Sequence, residues 1–316
     1  MVSRLLVSEE RTADPQLGYF LLTLANKFKI ETIPKALSLA EHQISAIVER
    51  KDLIGPGGKP HPASPGVRLS LAKDIYALVA GALRRYTGSP LAQMFDSLLR
   101  GPANEDHGAV LARDFDILFR PHACLTKDLN ASIKPLWSQK AYINLVKPML
   151  PRAWPKRQGS DVACANYSIA VLSCVRHLDY GVYADDAPDL IRLVLCVLRT
   201  LPAGPDVEAA LKVLETIARE SPDVLEPFLK SVIDACAALI SDAQQDAPVG
   251  GGVKVRAKCR DLAVMMLGYL PGKFEHGKLR SAAPRVERLL AVACGDGVRR
   301  VRRSALNAKL AWADVN

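Results

Sequence analysis

Five cationic side chains lie close together near the end of the chain, with no acidic residue among them. Between Val298 and Trp312 the sequence carries Arg299, Arg300, Arg302, Arg303 and Lys309. Such groups bind the phosphates of nucleic acids, and the planar fork of arginine also binds protein carboxylates through two parallel hydrogen bonds. The run is therefore a nucleic-acid contact, a protein-docking edge or the solvated face of a helix.

Residue types that perform catalysis or hold metals are scattered along the chain. The 6 histidines and 7 cysteines form no HExxH, CxxC or nucleophile-elbow motif. His122 and Cys124 offer two metal ligands, whereas a site needs about four. The sequence around Lys59 is not a phosphate loop, because the motif requires a glycine where Leu53 lies and a hydroxyl residue where Pro60 lies. We therefore expect no enzyme activity and no bound metal or cofactor.

The composition favours packed helices in a soluble, intracellular protein. Apolar residues make up 49% of the 316 positions, but aromatic residues only 6%, which leaves a core of Leu, Val, Ile and Ala. The single cysteines in apolar runs suit a reducing compartment. No apolar run reaches the roughly 18 to 20 residues that a membrane span needs, so we expect no membrane association. The net charge of +9 permits nucleic acid or an acidic protein as partner and selects neither.

Helical patterns recur along the chain with the period of a repeat protein. First helices are predicted near 163–178, 206–219, 253–270 and 298–312, and all but the last precede a second helix that follows a proline. Val255-Arg256 recurs as Val301-Arg302, within the roughly 40 to 47 residues of HEAT and armadillo repeats. We predict an all-α solenoid of antiparallel helix pairs, with a helical pair in 1–53, a flexible Gly/Pro-rich loop in 54–66 and the HEAT-repeat solenoid in 67–316. The segment 131–150 is predicted to be helical with a break near Pro135.

The last helix has one predicted buried face. An i, i+3, i+7, i+10, i+14 stripe is formed by Val298, Val301, Ala305, Ala308 and Trp312. Arg302, like Arg256, is predicted to be structural, because HEAT repeats commonly carry here an arginine that pairs with an acid of an adjacent repeat. Arg299, Arg300 and Arg303 must point away from the stripe, and their crowding at the positive end of a helix dipole favours a functional role.

Two segments carry a resemblance to a known family. The C-terminal sequences "VKVRAKCRDLAVMMLGYLP", "APRVERLLAVAC" and "VRRVRRSALNAKLAW" resemble the C-terminal HEAT domain of the adaptor of the cytosolic iron–sulfur assembly (CIA) targeting complex. This is the methyl-methanesulfonate-sensitivity and nucleotide-excision-repair protein family. The segment 115–142 is similar to the same domain through Lys134, Trp137, Gln139 and Lys140. The resemblance covers roughly 67–316 and marks the chain as the C-terminal part of a longer adaptor.

The resemblance implies a non-catalytic scaffold of the cytoplasm and nucleus. Its partners would be the WD-repeat propeller and DUF59-type subunits of the targeting complex, which delivers clusters to apo-proteins such as DNA-repair helicases, polymerases and primases. On that reading Arg299, Arg300, Arg303 and Lys309 form a docking edge for acidic groups, together with the four residues of the 134–140 segment. Two alternatives stay open: direct binding of nucleic acid, for which the basic segment 151–160 is a second candidate, and an importin-like transport adaptor.

Overall fold

Amphipathic helices follow one another through the described part of the chain. The computed structural model describes residues 15–48, 53–54, 60–61, 65–86, 91–100, 108–153, 162–241 and 252–315. They belong to two compact units, Met1–Val182 and Tyr183–Asn316. The boundary falls inside the stretch that the sequence assigns to one solenoid. None of the described helices is long and apolar enough to cross a membrane.

The first unit contains two layers of helices. Its helices are α1 (Pro15–Lys27), α2 (Ile33–Val48), α3 (Pro65–Leu83), α4 (Leu91–Arg100), α5 (Gly108–Asp114), α6 (Asp116–Phe119), α7 (Trp137–Ala141) and α8 (Val162–Val175), and α9 (Tyr180–Tyr183) ends at the boundary. In one layer α1 packs on α3, α3 on α5 and α6, and these on α8, while α2 packs on α4 in the other. Each helix thus covers the apolar face that its neighbour leaves exposed.

The second unit repeats one helix pair three times. Its helices are α10 (Ala187–Thr200), α11 (Pro205–Glu220), α12 (Pro222–Leu225), α13 (Leu229–Ser241), α14 (Gly252–Tyr269), α15 (His276–Leu279), α16 (Ala283–Ala293) and α17 (Arg299–Ala313). The long helices α10, α13 and α16 form one layer, and α11, α14 and α17 form the other. The predicted all-α helical-repeat solenoid class is confirmed, and the four first helices lie where the repeat pattern predicts them.

The helices α14 and α17 approach each other very closely. Val301, Ala305, Ala308 and Trp312 are buried as the predicted stripe requires, while Val298 is half-buried. A Cβ atom on Gly268 would lie 2.9 Å from the Cβ of Ala308, so only glycine fits at this crossing without a shift of the helices.

The segment before α8 is less regular than the helix predicted for it. The break near Pro135 is present, because Leu136 has a φ of 57° and α7 begins only at Trp137. Beyond α7 the chain forms a π-helical turn, Tyr142–Val146, and a 3₁₀ helix, Lys147–Arg152. Pro148 and Pro151 lack the N–H group that a regular α-helix needs, so the helical ladder does not continue here.

The Gly/Pro-rich segment 54–66 is not structureless throughout. Leu53–Ile54 (β1) pairs antiparallel with Pro60–His61 (β2), and α3 begins already at Pro65. Residues 55–59 and 62–64 lie outside the described part of the chain. A ladder this short produces no alternation in the sequence, which is why the pattern did not predict it.

The glycine crossing can be tested with a matched pair of substitutions. Gly268→Ala should lower the free energy of unfolding by about 1–3 kcal/mol, because the added methyl group displaces α17. Gly277→Ala in α15, where a Cβ would meet nothing within 4 Å, should change it by less than about 1 kcal/mol. Urea unfolding followed by circular dichroism gives both values, and equal effects would contradict this packing.

Candidate interaction sites

A buried carboxylate ties α17 to α14. Asp261 is only 1% exposed, and Ser304 donates its Oγ hydrogen to Oδ1 over 2.6 Å. The Nε atom of Arg300 lies 2.5 Å from Oδ2, in an ion pair without hydrogen-bond alignment. Because a buried charge needs a partner, Arg300 forms an ion pair within its own chain while its side chain stays 70% exposed. Its contact with a partner protein stays a prediction.

The turn before α17 is organised by Asp296. Its side chain accepts hydrogen bonds from Arg260 Nε of α14 and from the backbone N–H of Val298, at 2.9 and 2.7 Å. Arg302 donates instead to the carbonyl oxygens of Asp296 and Gly297. In the described part of the chain Arg302 thus binds turn carbonyl oxygens and no acid of an adjacent repeat, because the carbonyl oxygens lie within its reach. Two ion pairs connect α14 to α17 and the turn before it: Arg260 with Asp296, and Arg300 with Asp261.

The outer face of α17 combines two arginines with two leucines. Arg299, Arg303, Leu306 and Leu310 recur at i, i+4, i+7 and i+11, opposite the buried stripe; we call these four residues the terminal ridge. Leu306 and Leu310 are 55% and 65% exposed. Within the described part of the chain, the two arginines have no hydrogen-bond or ion-pair partner for their side chains, and neither has Lys309, which is exposed beside the ridge.

Trp312 and Arg256 are the other two residues predicted to be structural. Trp312 is completely buried, and its Nε1–H donates to the carbonyl oxygen of Leu267 over 2.7 Å. Arg256 is half-buried in α14 and interacts with at least one other group of the protein. The leucines of the ridge were missed by the sequence analysis, although their i, i+4 spacing on the face opposite Trp312 would have revealed them.

In the first unit, Trp137 covers a buried arginine. The ring of Trp137 lies 4.1 Å from the guanidinium carbon of Arg84 and is stacked near Phe119, with 6.0 Å between ring centres. The backbone N–H of Lys134 donates to the carbonyl oxygen of Arg84. Of the four residues predicted to bind a partner in this segment, Trp137 is half-buried against Arg84 and Phe119. Lys134, Gln139 and Lys140 are exposed.

Asp116 gathers two arginines and a histidine beside this contact. Its Oδ1 accepts hydrogen bonds from Arg176 and His177, and Arg120 Nη1 lies 3.5 Å from Oδ2. Burial raises the pKa of Asp116, but the hydrogen bonds from His177 and Arg176 outweigh it and lower this pKa to about 2. Asp116 is therefore a permanent anion that positions its neighbours.

His122 is kept neutral in the same region. Its Nε2 lies 2.8 Å from the carbonyl oxygen of Ile117. Burial lowers the pKa of His122 to about 4; that hydrogen bond opposes the shift, and Arg84 and Arg120 add to it. Among the described residues, no group of three or more His, Cys, Asp or Glu side chains is placed to hold a metal ion. Of the basic segment 151–160, residues 154–160 lie outside the described part.

The fold and these surfaces define a helical-repeat protein. Its candidate functional groups lie on an outer helix face and around one aromatic–arginine contact. A family model described as the C-terminal domain of the RNAPII transcription regulator, MMS19_C, matches residues 6–270, and the chain belongs to this family. The match ends before α15, α16 and α17. A search of the curated proteins gives no significant match.

The two classes of arginine on α17 predict different effects on stability. Arg300→Ala should lower the free energy of unfolding by about 1 kcal/mol, since Asp261 loses its cation. Arg303→Ala, on the same helix but without a partner among the described residues, should change it by less than about 0.5 kcal/mol. Thermal unfolding of the two variants would refute this division if Arg303→Ala were the more damaging.

The neutral state of His122 predicts a pH effect. Its folded pKa of about 4 lies below the unfolded value of about 6.5, so the stability that it contributes is complete above pH 6.5 and is lost as the pH falls towards 4. The stability advantage of the wild type over His122→Gln should therefore shrink by about 2 kcal/mol between pH 7 and pH 4.5. Urea unfolding at both pH values measures it, and parallel pH profiles would exclude this assignment.

Proposed function

We propose that the chain is a non-catalytic adaptor that acts as part of the CIA targeting complex. Its family membership supports a helical adaptor, and the terminal ridge supplies a surface suited to a protein partner. The observation that carries the proposal is the combination of unpartnered arginines with exposed leucines on one face of α17. The partners that we propose are the WD-repeat propeller and DUF59-type subunits.

The chemistry of the ridge favours a protein over nucleic acid. Leu306 and Leu310 gain free energy when a partner removes them from water, and phosphates do not provide such a surface. Arg299 and Arg303, one turn away, suit carboxylates at the edge of the same contact. An amphipathic helix with acidic residues at one end and apolar residues at the other matches this arrangement. Direct nucleic-acid binding would use the charges and leave the leucines exposed.

The adaptor would present apo-proteins to the cluster-carrying machinery. In this proposal the helical repeats bind the partner subunits, and the assembly delivers clusters to DNA-repair helicases, polymerases and primases in cytoplasm and nucleus. The chemistry of cluster transfer lies with the partners, since no metal-binding group is present among the described residues.

The ridge is tested by a charge reversal with a matched control. Arg299→Glu with Arg303→Glu should slow association with the purified partner subunits about tenfold or more, because acidic groups are then repelled. Lys230→Glu with Arg280→Glu makes the same charge change at two other exposed positions of the second unit and should have little effect. Stopped-flow or surface-binding kinetics at fixed salt measure both. Arg300 is left unchanged because it holds Asp261.

A second variant separates apolar contact from charge. Leu306→Ser with Leu310→Ser should mainly accelerate dissociation, since buried apolar contacts govern the lifetime of a complex. Binding to single-stranded DNA should not change in this variant. If partner binding survived both the charge and the leucine variants while their melting curves matched the wild type, the ridge would not be the docking surface.

A further inference from the structure

A cavity lies beneath Trp137 in the first unit. Its volume is roughly 280 Å³, enough for a side chain or a short peptide segment. The lining residues belong to α3, α6, α7 and the turns around them, and they mix charged with apolar groups: Arg84, Phe119, Arg120, Pro121, His122, Leu125, Ile133, Trp137, Ser138, His177, Leu178 and Asp179.

Arg84 lines this cavity and has hydrogen-bond donors without an acceptor among the described residues. The residue is only 3% exposed, and its Nη1 and Nη2 donate to the carbonyl oxygens of Ala80, Leu118 and Arg120. A guanidinium group has five N–H donors, so its Nε–H and one Nη2–H have no acceptor in the described part of the chain. Nε and Nη2 share the edge through which arginine binds carboxylates bidentately.

The charge of Arg84 is also unbalanced. No carboxylate of the described residues pairs with it, and burial lowers its pKa to about 9. The nearby Asp116 is occupied by Arg120, Arg176 and His177. A buried cation without a counter-ion is costly even where carbonyl oxygens and an aromatic ring contact it, and an anion in the cavity would lower that cost.

The remaining wall selects the kind of anion. Phe119, Leu125, Ile133 and Leu178 supply apolar surface for the stem of a side chain and its neighbours. The exposed Asp179 lies at the same cavity and would repel a doubly charged phosphate more strongly than a singly charged carboxylate. We propose that the Trp137 cavity binds the carboxylate side chain of an acidic segment of a partner protein, with Arg84 as its bidentate ligand. This second site is independent of the terminal ridge.

Small probes test the chemistry. The indole N–H resonance of Trp137, assigned with Trp137→Phe, is followed in the ¹⁵N-labelled full chain at constant ionic strength. Propionate should shift it saturably, whereas the isosteric but neutral propionamide should bind about tenfold or more weakly. Inorganic phosphate should be weaker than propionate. Equal affinity for the amide would overturn the proposal, and tighter binding of phosphate would replace the carboxylate by a phosphorylated group.

Peptides and cavity variants test the protein ligand. The peptide acetyl-Ser-Leu-Glu-Leu-Ser-amide should bind more tightly than propionate and at least about tenfold more tightly than its Gln counterpart. Ser138→Phe fills the cavity and should abolish binding, whereas Gln139→Phe, at the exposed neighbouring position, should retain it. Arg84→Lys should weaken binding wherever it folds. Undiminished binding by folded Ser138→Phe would place the ligand elsewhere and refute the site, without affecting the ridge.

Discussion

The close crossing of α17 and α14 at Gly268 and Ala308 is the constraint on which the second unit depends. Because neither position carries more than a methyl group, Trp312 can reach the carbonyl oxygen of Leu267 and satisfy its only polar group in the core. The same crossing brings the buried Asp261 under the first turns of α17. Everything on the opposite face of that helix is then fixed as solvent-facing surface.

The basic run at the end of the chain therefore contains side chains with distinct tasks. Arg300 balances a buried carboxylate, and Arg302 closes the preceding turn through its carbonyl oxygens. Asp296 caps the start of α17 by accepting a hydrogen bond from the backbone N–H of Val298, while Arg260 balances its charge. Among the described residues Arg299, Arg303 and Lys309 have no side-chain partner, and the two arginines share their face with leucines. The arginines of the run that are free to bind a partner protein therefore lie on the terminal ridge.

The two candidate sites use arginine in opposite ways. On the terminal ridge the guanidinium groups are exposed, so their contribution to binding depends on salt and acts chiefly on the rate of association. In the Trp137 cavity Arg84 is buried, so its desolvation is already complete when a ligand arrives. A carboxylate there would meet a preorganised donor pair. An adaptor with both features would recruit a partner by charge at one place and recognise a single side chain at another.

The sequence by itself determined the long helices of the repeats and the buried face of α17, but not the irregular segment before α8. Helical periodicity is a local property that burial imposes on each regular segment. The spacing of 46 residues between Val255 and Val301 corresponds to two helices that pack together. Only the tertiary structure decided which arginine meets Asp261, that Trp137 covers Arg84, and that a cavity lies beside them. Those contacts join residues far apart in the chain, and their partners depend on the rotation and separation of helices, which no local pattern encodes.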